Sequence, residues 1–586
     1  MSFRIPGHRL KAPHTPPVAV RRPIGARTAY YLAVVLSILA TLTILDTFWE
    51  IPHPWHASVW IRRFADAMLL ALPAWFLRRR GWVVLWVLII DLYLFSNLWY
   101  YRNYGSIMPL SSYTMWQNLD GLGPSIRNSM RRTDWWLLLP AACLALFSFL
   151  TDRFACTASR GRRLAACGTA LLTAAAILLG PYRHDPNSFD HPGPRFRNEP
   201  MVALRDFGWT SYWIYQTSNS RGCTAEERLE ARRFVENAEL NRGPAPGIAP
   251  HGKNLILILM ESQASWPIGL EIDGRKVQPF LDSLARDTSV LYFPKVLPQV
   301  KDGRSSDAQL LINTGLLPAA TGAASSLYGS RNTYPSLPKA LKRLGYASAS
   351  LVCDFKSYWN QEATTRSFGF DTLHYDLRGD NSMLRADEEL YRHSLAILKR
   401  MPEPFYAQIV TMSGHDAVES DFDTPLNKTR IADEQAKNYL VIAEYVDRCL
   451  ASFIDSLKRC GLYERSLIVI TGDHDSITRN RYEGRRECRL EDRYVPLFLL
   501  NAPRRMPTDR VVAQCDIYPT LLDAMGIDEY LFHGLGESLY RRQSDCAADH
   551  TSGWVGENSD DSVRRYRKEL WRISDILLRA DYFRGE

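Results

Sequence analysis

Long apolar segments in the first third of the chain constrain its fold most strongly, because about 20 apolar residues in a helix cross a bilayer. Segments 28–49 and 82–100 are long enough, while 135–150 and 163–180 are shorter. A fifth segment, 64–77, is the weakest, since it carries Asp66 and follows two arginines. We therefore expect an N-terminal bundle of about five transmembrane helices over residues 28–180.

The basic residues between these segments indicate an orientation. Segments 1–27, 78–81 and 151–163 hold 13 Lys or Arg in 44 residues, whereas 50–63 and 101–134 hold 6 in 48. The positive-inside rule then predicts a multi-pass protein of the cell membrane with a cytoplasmic N-terminal tail, residues 1–27. Everything after Gly180 is expected outside the cytoplasm. The first span is expected to be retained, since the stretch before it is long and Pro-rich and shows no cleavage site of small residues.

Three aspartates lie in or near the apolar segments: Asp46, Asp66 and Asp91. An acidic residue inside a membrane is often functional. Asp46 and Asp66 can sit near the interface, so a polar contact between helices is favoured over a transport role for them.

The ten cysteines form no C-x-x-C motif. Seven of them follow the membrane segments, where disulfides can form, and an odd number leaves at least one unpaired. The sequence does not fix which cysteines pair.

The pattern changes after a polar connector over residues 181–250. Continuous apolar runs ("NLILILME", "YASASLV", "FYAQIVTM", "SLIVITGDHD", "VPLFLL") alternate with segments of helical spacing. This alternation predicts an α/β domain over residues 251–540, with helices covering both faces of its sheet. The charged stretch 541–586 is expected to form a C-terminal tail with a surface helix.

Chemically capable residues follow the predicted strands, where α/β folds place their sites. Glu261 ends the first strand, Asp473 and His474 end a later one, and His415 follows the strand between them. Two carboxylates and an imidazole suit a divalent cation. A serine in "GRSSDAQ" can supply a further oxygen and act as a nucleophile. Each feature alone has an ordinary explanation, since a serine before a helix is more often a cap.

Together these motifs resemble the alkaline phosphatase/sulfatase superfamily, and within it the lipoteichoic acid synthase-like phosphotransferases. "LILILMES" resembles the first metal-binding strand of that family, "GRSSDAQ" its nucleophile motif, and "TGDHDS" its second metal motif. "TMSGHDA" and "DFKSYWNQ" resemble its substrate-binding segments. The resemblance implies metal ligands Glu261, Ser305, Asp473 and His474, the catalytic nucleophile Ser305, and the substrate-binding residues His415 and Trp359.

The chain departs from the family pattern at two positions. Ser305 stands where members usually have threonine, and either hydroxyl can attack phosphorus. Gln361 stands where members have an arginine, so the bidentate clamp on phosphate is missing there. Lys356 and Arg304 are the candidates to supply the charge. Next to the expected nucleophile, Ser306 is expected to cap the following helix, although a choice between the two serines remains open.

The resemblance implies a membrane-anchored transferase that moves a phospholipid head group, glycerol phosphate by family default, onto an extracytoplasmic glycan or polymer. The expected cofactor is Mn²⁺, with Mg²⁺ or Zn²⁺ as alternatives. A phosphoethanolamine transferase, a phosphodiesterase or sulfatase, and a non-catalytic lipid-binding regulator remain alternatives. A sulfatase is disfavoured because the residues after Ser305 lack the Pro and Arg of its motif. The sequence indicates no nucleic-acid partner and leaves the oligomeric state open.

Overall fold

Two compact units make up the chain in the computed structural model. The first comprises 1–98, 131–186 and 202–211, and the second comprises 99–130, 187–201 and 212–586. The structure describes residues 24–49, 56–77, 79–104, 107–108, 110, 113, 129–150, 160–184, 190–198, 200–219, 223–329, 331–356, 358–379, 382–415, 422–429, 431–476, 478, 489–541, 544–551, 553–557 and 561–584.

The N-terminal region is helical. Its α-helices are α1 (Ile24–Phe48), α2 (Ala57–Leu70), α3 (Arg80–Tyr104), α4 (Leu139–Leu150) and α5 (Arg160–Leu178), and a 3-10 helix, Arg132–Leu138, leads into α4.

Within the described residues, three stretches are long and apolar enough to cross a membrane: Thr28–Phe48, Arg80–Arg102 and Arg132–Leu150. The expected span 163–180 falls on a shorter apolar stretch, Arg163–Leu178. The expected span 64–77 falls on the end of α2, which has 14 residues, and on a short 3-10 helix, so neither of these described helices is long enough to cross a bilayer. The structure therefore supports three membrane helices.

Two aspartates, a partly buried Asp46 and a buried Asp66, join helices in the first unit. Asp46 of α1 pairs with Arg63 of α2. Asp66 accepts hydrogen bonds from the backbone N–H groups of Trp209, at 2.7 Å, and Thr210, at 3.1 Å. These N–H groups follow Gly208, whose φ of 85° breaks the helix that contains it. Asp46 and Asp66 thus make the contacts between helices that the sequence favoured, because a buried carboxylate needs a charge or donors beside it.

A mixed sheet of eight strands forms the centre of the second unit. The strands are β1 (Asn254–Met260), β4 (Leu291–Leu297), β5 (Ala347–Val352), β6 (Thr372–His374), β7 (Phe405–Val410), β8 (Ser466–Gly472), β9 (Val495–Leu500) and β10 (Val512–Ala513). Their order in the sheet is β10-β4-β9-β8-β1-β7-β5-β6. Neighbours from β8 to β6 pair in parallel, and β9 runs antiparallel to both β8 and β4. Two small hairpins lie outside this sheet: β2 (Glu271–Ile272) with β3 (Arg275–Lys276), and β11 (Cys546–Ala548) with β12 (Trp554–Gly556).

Helices cover both faces of the sheet, as the alternation of strands and helices predicted. In β1, Leu255, Leu257 and Leu259 belong to one apolar core, and the alternate residues, such as Ile256 and Ile258, belong to another. Since successive side chains of a strand point to opposite faces, the two cores lie on the two sides of the sheet. Helix α6 (Pro192–Asn198) belongs to this unit, while α7 (Pro200–Asn219) has residues 202–211 in the first unit and its other residues in the second. The further helices of this unit are α8 (Ala225–Leu240), α9 (Pro279–Arg286), α10 (Ser305–Thr314), α11 (Ala324–Tyr328), α12 (Leu337–Lys342), α13 (Gln361–Phe368), α14 (Ala386–Leu398), α15 (Glu434–Arg459), α16 (Ile517–Ala524) and α17 (Asp561–Ala580).

The C-terminal helix α17 differs from the surface helix expected from the sequence. Its second half is almost entirely buried, and Leu570, Ile573 and Leu577 belong to the core on one side of the sheet. The apolar stripe "LWRISDILL" therefore packs into the domain because burying it removes a continuous apolar area from water.

Eight of the ten cysteines lie in the part of the chain that the structure describes, and none of those eight takes part in a disulfide.

Candidate active site

A strained turn presents Ser305 as the first residue of α10. Arg304 before it has φ 46° and ψ −118°, a left-handed conformation that is uncommon for a residue with a side chain. Such a conformation costs about 1–3 kcal/mol and persists only where neighbours hold it. The carboxylate of Asp307 does so, since it accepts hydrogen bonds from the backbone N–H groups of Lys301 and Gly303, each at 2.9 Å.

The two neighbouring serines have different surroundings. Ser305 Oγ donates to Glu261 Oε2 at 2.8 Å and lies 3.4 Å from His474 Nε2. Ser306 Oγ instead donates to the Gly303 carbonyl at 2.7 Å and accepts from Ser325 Oγ at 3.0 Å. The expectation that Ser306 caps the helix is wrong, because the helix already begins at Ser305 and the Ser306 hydroxyl is bonded to the preceding turn.

Glu261, Asp473 and His474 meet at the carboxyl ends of β1 and β8. These strands are parallel neighbours in which Met260 is level with Gly472, so the residues that follow arrive side by side. One ligand atom from each of the three buried side chains lies within 4.8 Å of the others. The sequence placed these three residues in one site, and the structure brings them together.

The side chains of this cluster are suited to a cation. Asp473 Oδ1 accepts from the backbone N–H groups of Ser262, at 2.8 Å, and His474, at 2.7 Å. Its Oδ2 is buried and accepts no hydrogen bond from any residue that the structure describes. His474 Nδ1 lies 2.9 Å from the Asp475 carbonyl, so an Nδ1–H donates there and Nε2 is left to bind. Two carboxylates, an imidazole and a hydroxyl fit a divalent metal ion.

The electrostatics of the cluster agree with this fit. Burial favours the neutral form of Glu261, but the charge of His474 and hydrogen bonds from His474 and Ser305 outweigh it, so the pKa of Glu261 lies below its usual range. Burial and the charge of Glu261 raise the pKa of Asp473 to about 7. Although burial lowers the pKa of His474, the two carboxylates raise it overall to about 9. A metal ion would replace the proton that the carboxylates draw onto His474.

His415 and Trp359 lie on segments that follow β7 and β5, strands on the same side of β1. The positive charge of His415 lowers the pKa of Glu261, which places this histidine in the electrostatic surroundings of the cluster. Trp359 is half-buried, and both it and Asn360 have positive φ values, 47° and 57°. Two consecutive left-handed residues reverse the chain sharply before α13.

Three further expected site residues are held by neighbouring side chains. Gln361 is buried and donates to Gln309 Oε1 at 2.9 Å and Thr365 Oγ1 at 3.1 Å. Lys356 Nζ lies 3.3 Å from Glu362 Oε2 near the surface. Arg304 is the one of these three that adjoins the nucleophile, and its Nη1 lies 3.7 Å from Asp475 Oδ1.

One acidic residue near the site was missed from the sequence. Asp354 follows β5, and the charges of His415 and Glu261 both affect its pKa, which burial raises to about 6. Its position two residues after a buried strand was the available signal, because residues at that edge of a parallel sheet lie close together.

Comparisons with known proteins agree with the two-part organisation. Residues 253–527 match the family described as Sulfatase, and residues 24–219 match the Lipoteichoic acid synthase N-terminal domain. The chain is 28% identical to lipoteichoic acid synthase 2 of Bacillus subtilis over 478 residues, which cover 76% of this chain and 72% of that protein. It is 30% identical to lipoteichoic acid synthase 1 of the same organism over 380 residues, 61% of this chain and 59% of that relative.

A solved structure shares the fold of more than half of this chain. The lipoteichoic acid synthase LtaP from Listeria monocytogenes superposes with a TM-score of 0.51 and 22% sequence identity, covering 59% of this chain and 98% of that one. At this identity the likeness concerns the fold.

Proposed function

This chain is a lipoteichoic acid synthase-like member of the sulfatase/alkaline phosphatase superfamily, and from that premise we propose that it transfers glycerol phosphate from a membrane phospholipid to an extracytoplasmic glycan or polymer. A single observation carries the proposal. The Ser305 hydroxyl donates to Glu261 at 2.8 Å, beside His474 and at the N-terminus of α10. The N-terminus of a helix favours anions, because the helix dipole has its positive end there.

In the first step, Ser305 Oγ attacks the phosphorus of the phospholipid. The Oγ–P bond forms as the P–O bond to diacylglycerol breaks, and the proton that leaves Oγ is carried by water to the departing alkoxide, which becomes the hydroxyl of diacylglycerol. Arg304 and the positive end of the α10 dipole face the charge of the phosphate oxygens. The cation proposed for this site is Mn²⁺, held by Glu261, Asp473, His474 and Ser305, and it would lower the pKa of the hydroxyl and stabilise the developing charge.

In the second step, a hydroxyl of the acceptor attacks the same phosphorus. The new O–P bond forms as the Oγ–P bond breaks, and the acceptor's proton is passed on so that the Ser305 hydroxyl is restored. We assign His415 and Trp359 to binding of the head group, since their segments follow strands beside β1. The lipid donor accords with membrane anchoring, and five spans with a cytoplasmic N-terminus would place the site outside the cytoplasm.

Mass spectrometry of the active-site peptide tests this function. The full chain is incubated with Mn²⁺ and a mixture of phosphatidylglycerol and phosphatidylethanolamine, and the adduct is located. We expect a phosphoglycerol adduct on Ser305 that is absent from Ser305→Ala and present in Ser306→Ala. A phosphoethanolamine adduct would move the protein to the neighbouring transferase class. Undiminished activity in Ser305→Ala would refute the mechanism.

A further inference from the structure

A partly buried chain of alternating charges, the charge chain, runs from the nucleophile turn to the hairpin of β11 and β12. Arg304 Nη1 lies 3.7 Å from Asp475 Oδ1, and Arg493 Nε lies 3.2 Å from Asp475 Oδ2. Arg493 Nη1 in turn lies 3.1 Å from Asp549 Oδ2. The two carboxylates are 2% and 3% exposed in their side chains, so these pairs are weakly screened by solvent.

Asp549, the last residue of the charge chain, is held in place by hydrogen bonds within its own loop. Its Oδ1 accepts from Thr551 N, at 2.9 Å, Thr551 Oγ1, at 2.8 Å, and Gly553 N, at 2.8 Å, within the loop that joins β11 to β12. The hairpin is also joined to the segment before the nucleophile turn, because Gln299 Nε2 donates to the Ala548 carbonyl at 3.0 Å. Asp549 lies beyond residue 527, where the match to the Sulfatase family ends.

The geometry points to Arg493 as a positioning residue that, held by Asp549, sets the place of the Arg304 guanidinium through Asp475. This inference rests on the proposed function, in which Arg304 faces the attacked phosphate. Arg493 is the closer of the two arginines to Asp475. With Arg493 present, the charge of Asp475 is shared between two cations, and the pull on Arg304 is correspondingly weaker. Without Arg493, Asp475 would draw Arg304 toward itself and away from the substrate.

The charge chain lies beside the residues of the proposed site, so a change in it should affect activity. Asp475 follows directly after the proposed metal ligands Asp473 and His474, and Arg304 directly precedes Ser305. The Asp475 carboxylate thus links the segment that carries the metal ligands to Arg304, the residue next to the nucleophile. A support for a group in the site commonly affects activity about 10- to 100-fold without contacting the substrate.

A double-mutant cycle on the full chain tests the inference, with transfer from phosphatidylglycerol vesicles containing Mn²⁺ as the assay. We expect Arg493→Gln to lower kcat/KM about tenfold in the otherwise unchanged protein. In a protein that already carries Arg304→Gln, Arg493→Gln should lower kcat/KM by less than about twofold, because the effect of Arg493 acts through Arg304. Arg505→Gln, which removes an exposed arginine outside the charge chain, is the control and should change neither.

The outcomes separate this inference from the function on which it rests. An equal fall in both backgrounds would overturn the positioning role, since it would show an effect independent of Arg304. If Arg493→Gln does not fold, Asp549→Asn takes its place in the same cycle and is judged by the same criterion. If the unchanged protein forms no adduct on Ser305, the proposed function fails, and the inference fails with it.

Discussion

Arg567 donates a hydrogen bond to Asp516 across 3.0 Å, and both side chains are almost completely buried, at 1% and 0% exposure. The arginine belongs to α17 and the aspartate directly precedes α16, so the pair joins the C-terminal helix to the core. Asp516 also accepts from the backbone N–H groups of Ala513, at 2.9 Å, and Glu537, at 2.8 Å. The charge of the aspartate is therefore fully enclosed by donors.

Removing the arginine should destabilise the second unit strongly. Arg567→Met keeps much of the volume but leaves Asp516 buried without its counter-charge, which typically costs about 3–5 kcal/mol. We expect a large fall in the thermal midpoint of the full chain in detergent. Arg565→Met, on the exposed side of the same helix, is the control and should change stability by no more than about 0.5 kcal/mol. Similar midpoints for the two variants would contradict the structural role of the pair.

The sequence predicted the parts of the fold that depend on local patterns. Strands such as β1 and β8 are continuous apolar runs, and the ligands at their ends follow from the geometry of a parallel sheet. Strand β6 was missed because three residues carry too little pattern, and β4 because Pro294 and Lys295 interrupt its apolar run.

The predictions for Ser306 and for α17 were wrong because both depend on contacts that no local sequence pattern reveals. Ser306 turns to the carbonyl of Gly303 and to Ser325, which belongs to a later helix. The charged sequence of α17 predicts a surface helix, but in the structure Arg567 binds Asp516, which lies 51 residues earlier in the chain. Tertiary packing decides both cases, because it determines which polar groups must be satisfied.

Metal binding should be visible as a change in stability as well as in activity. Excess Mn²⁺ should raise the thermal midpoint of the full chain, since a ligand at about 100 times its Kd adds about 2.7 kcal/mol. Asp473→Asn should remove that rise. Without metal it should be at least as stable as the unchanged protein, because the negative charge of Glu261 already disfavours an ionised Asp473.

The control for this experiment is Asp509→Asn, which changes a carboxylate whose side chain is 90% exposed and should keep the full response to Mn²⁺. If Mn²⁺ raised the thermal midpoint of Asp473→Asn as much as that of the unchanged protein, the ion would bind elsewhere.

Restoring the arginine of the family pattern should not restore a phosphate clamp. Gln361 lies among neutral amides, where Gln309 accepts from it and also accepts from Gln408 at 3.0 Å. A guanidinium at this position would be buried without a carboxylate, so we expect Gln361→Arg to lose at least about 2 kcal/mol and to gain no activity. Denaturation midpoints and initial rates measure the two effects.

The apolar variant Gln361→Met separates charge from the loss of hydrogen bonds. It should lose about 1–3 kcal/mol, because it leaves the buried Gln309 and Thr365 side chains without this hydrogen-bond partner. Gln361→Arg should lose more, since it also buries a charge. A rise in transfer rate with unchanged stability in Gln361→Arg would mean that the new side chain reaches the substrate, against our expectation.

The contact between α8 and α17 should depend on pH in a defined direction. Glu227 Oε1 accepts from Arg579 Nη2 at 2.8 Å, and its Oε2 accepts from the Thr224 N–H at 2.9 Å. Burial acts to raise the pKa of Glu227, but the hydrogen bonds and the charge of Arg579 lower it to about 2, below the ordinary 4.5. A carboxyl whose pKa is depressed by folding stabilises the folded state above its unfolded pKa, and this contribution is lost as the pH falls.

Glu227→Gln should therefore lower stability at pH 7 by about 1 kcal/mol, a value reduced from the full shift because the pair is partly exposed to solvent. The difference from the unchanged protein should persist down to about pH 5 and shrink steadily toward pH 2, as Glu227 becomes protonated in both states. Thermal midpoints at pH 7, 5 and 3 measure this trend. Glu236→Gln, which breaks an exposed pair on the same helix, should show a much smaller difference at every pH. A Glu227→Gln difference that does not change with pH would mean that the ionised carboxylate contributes nothing to the contact between the two helices.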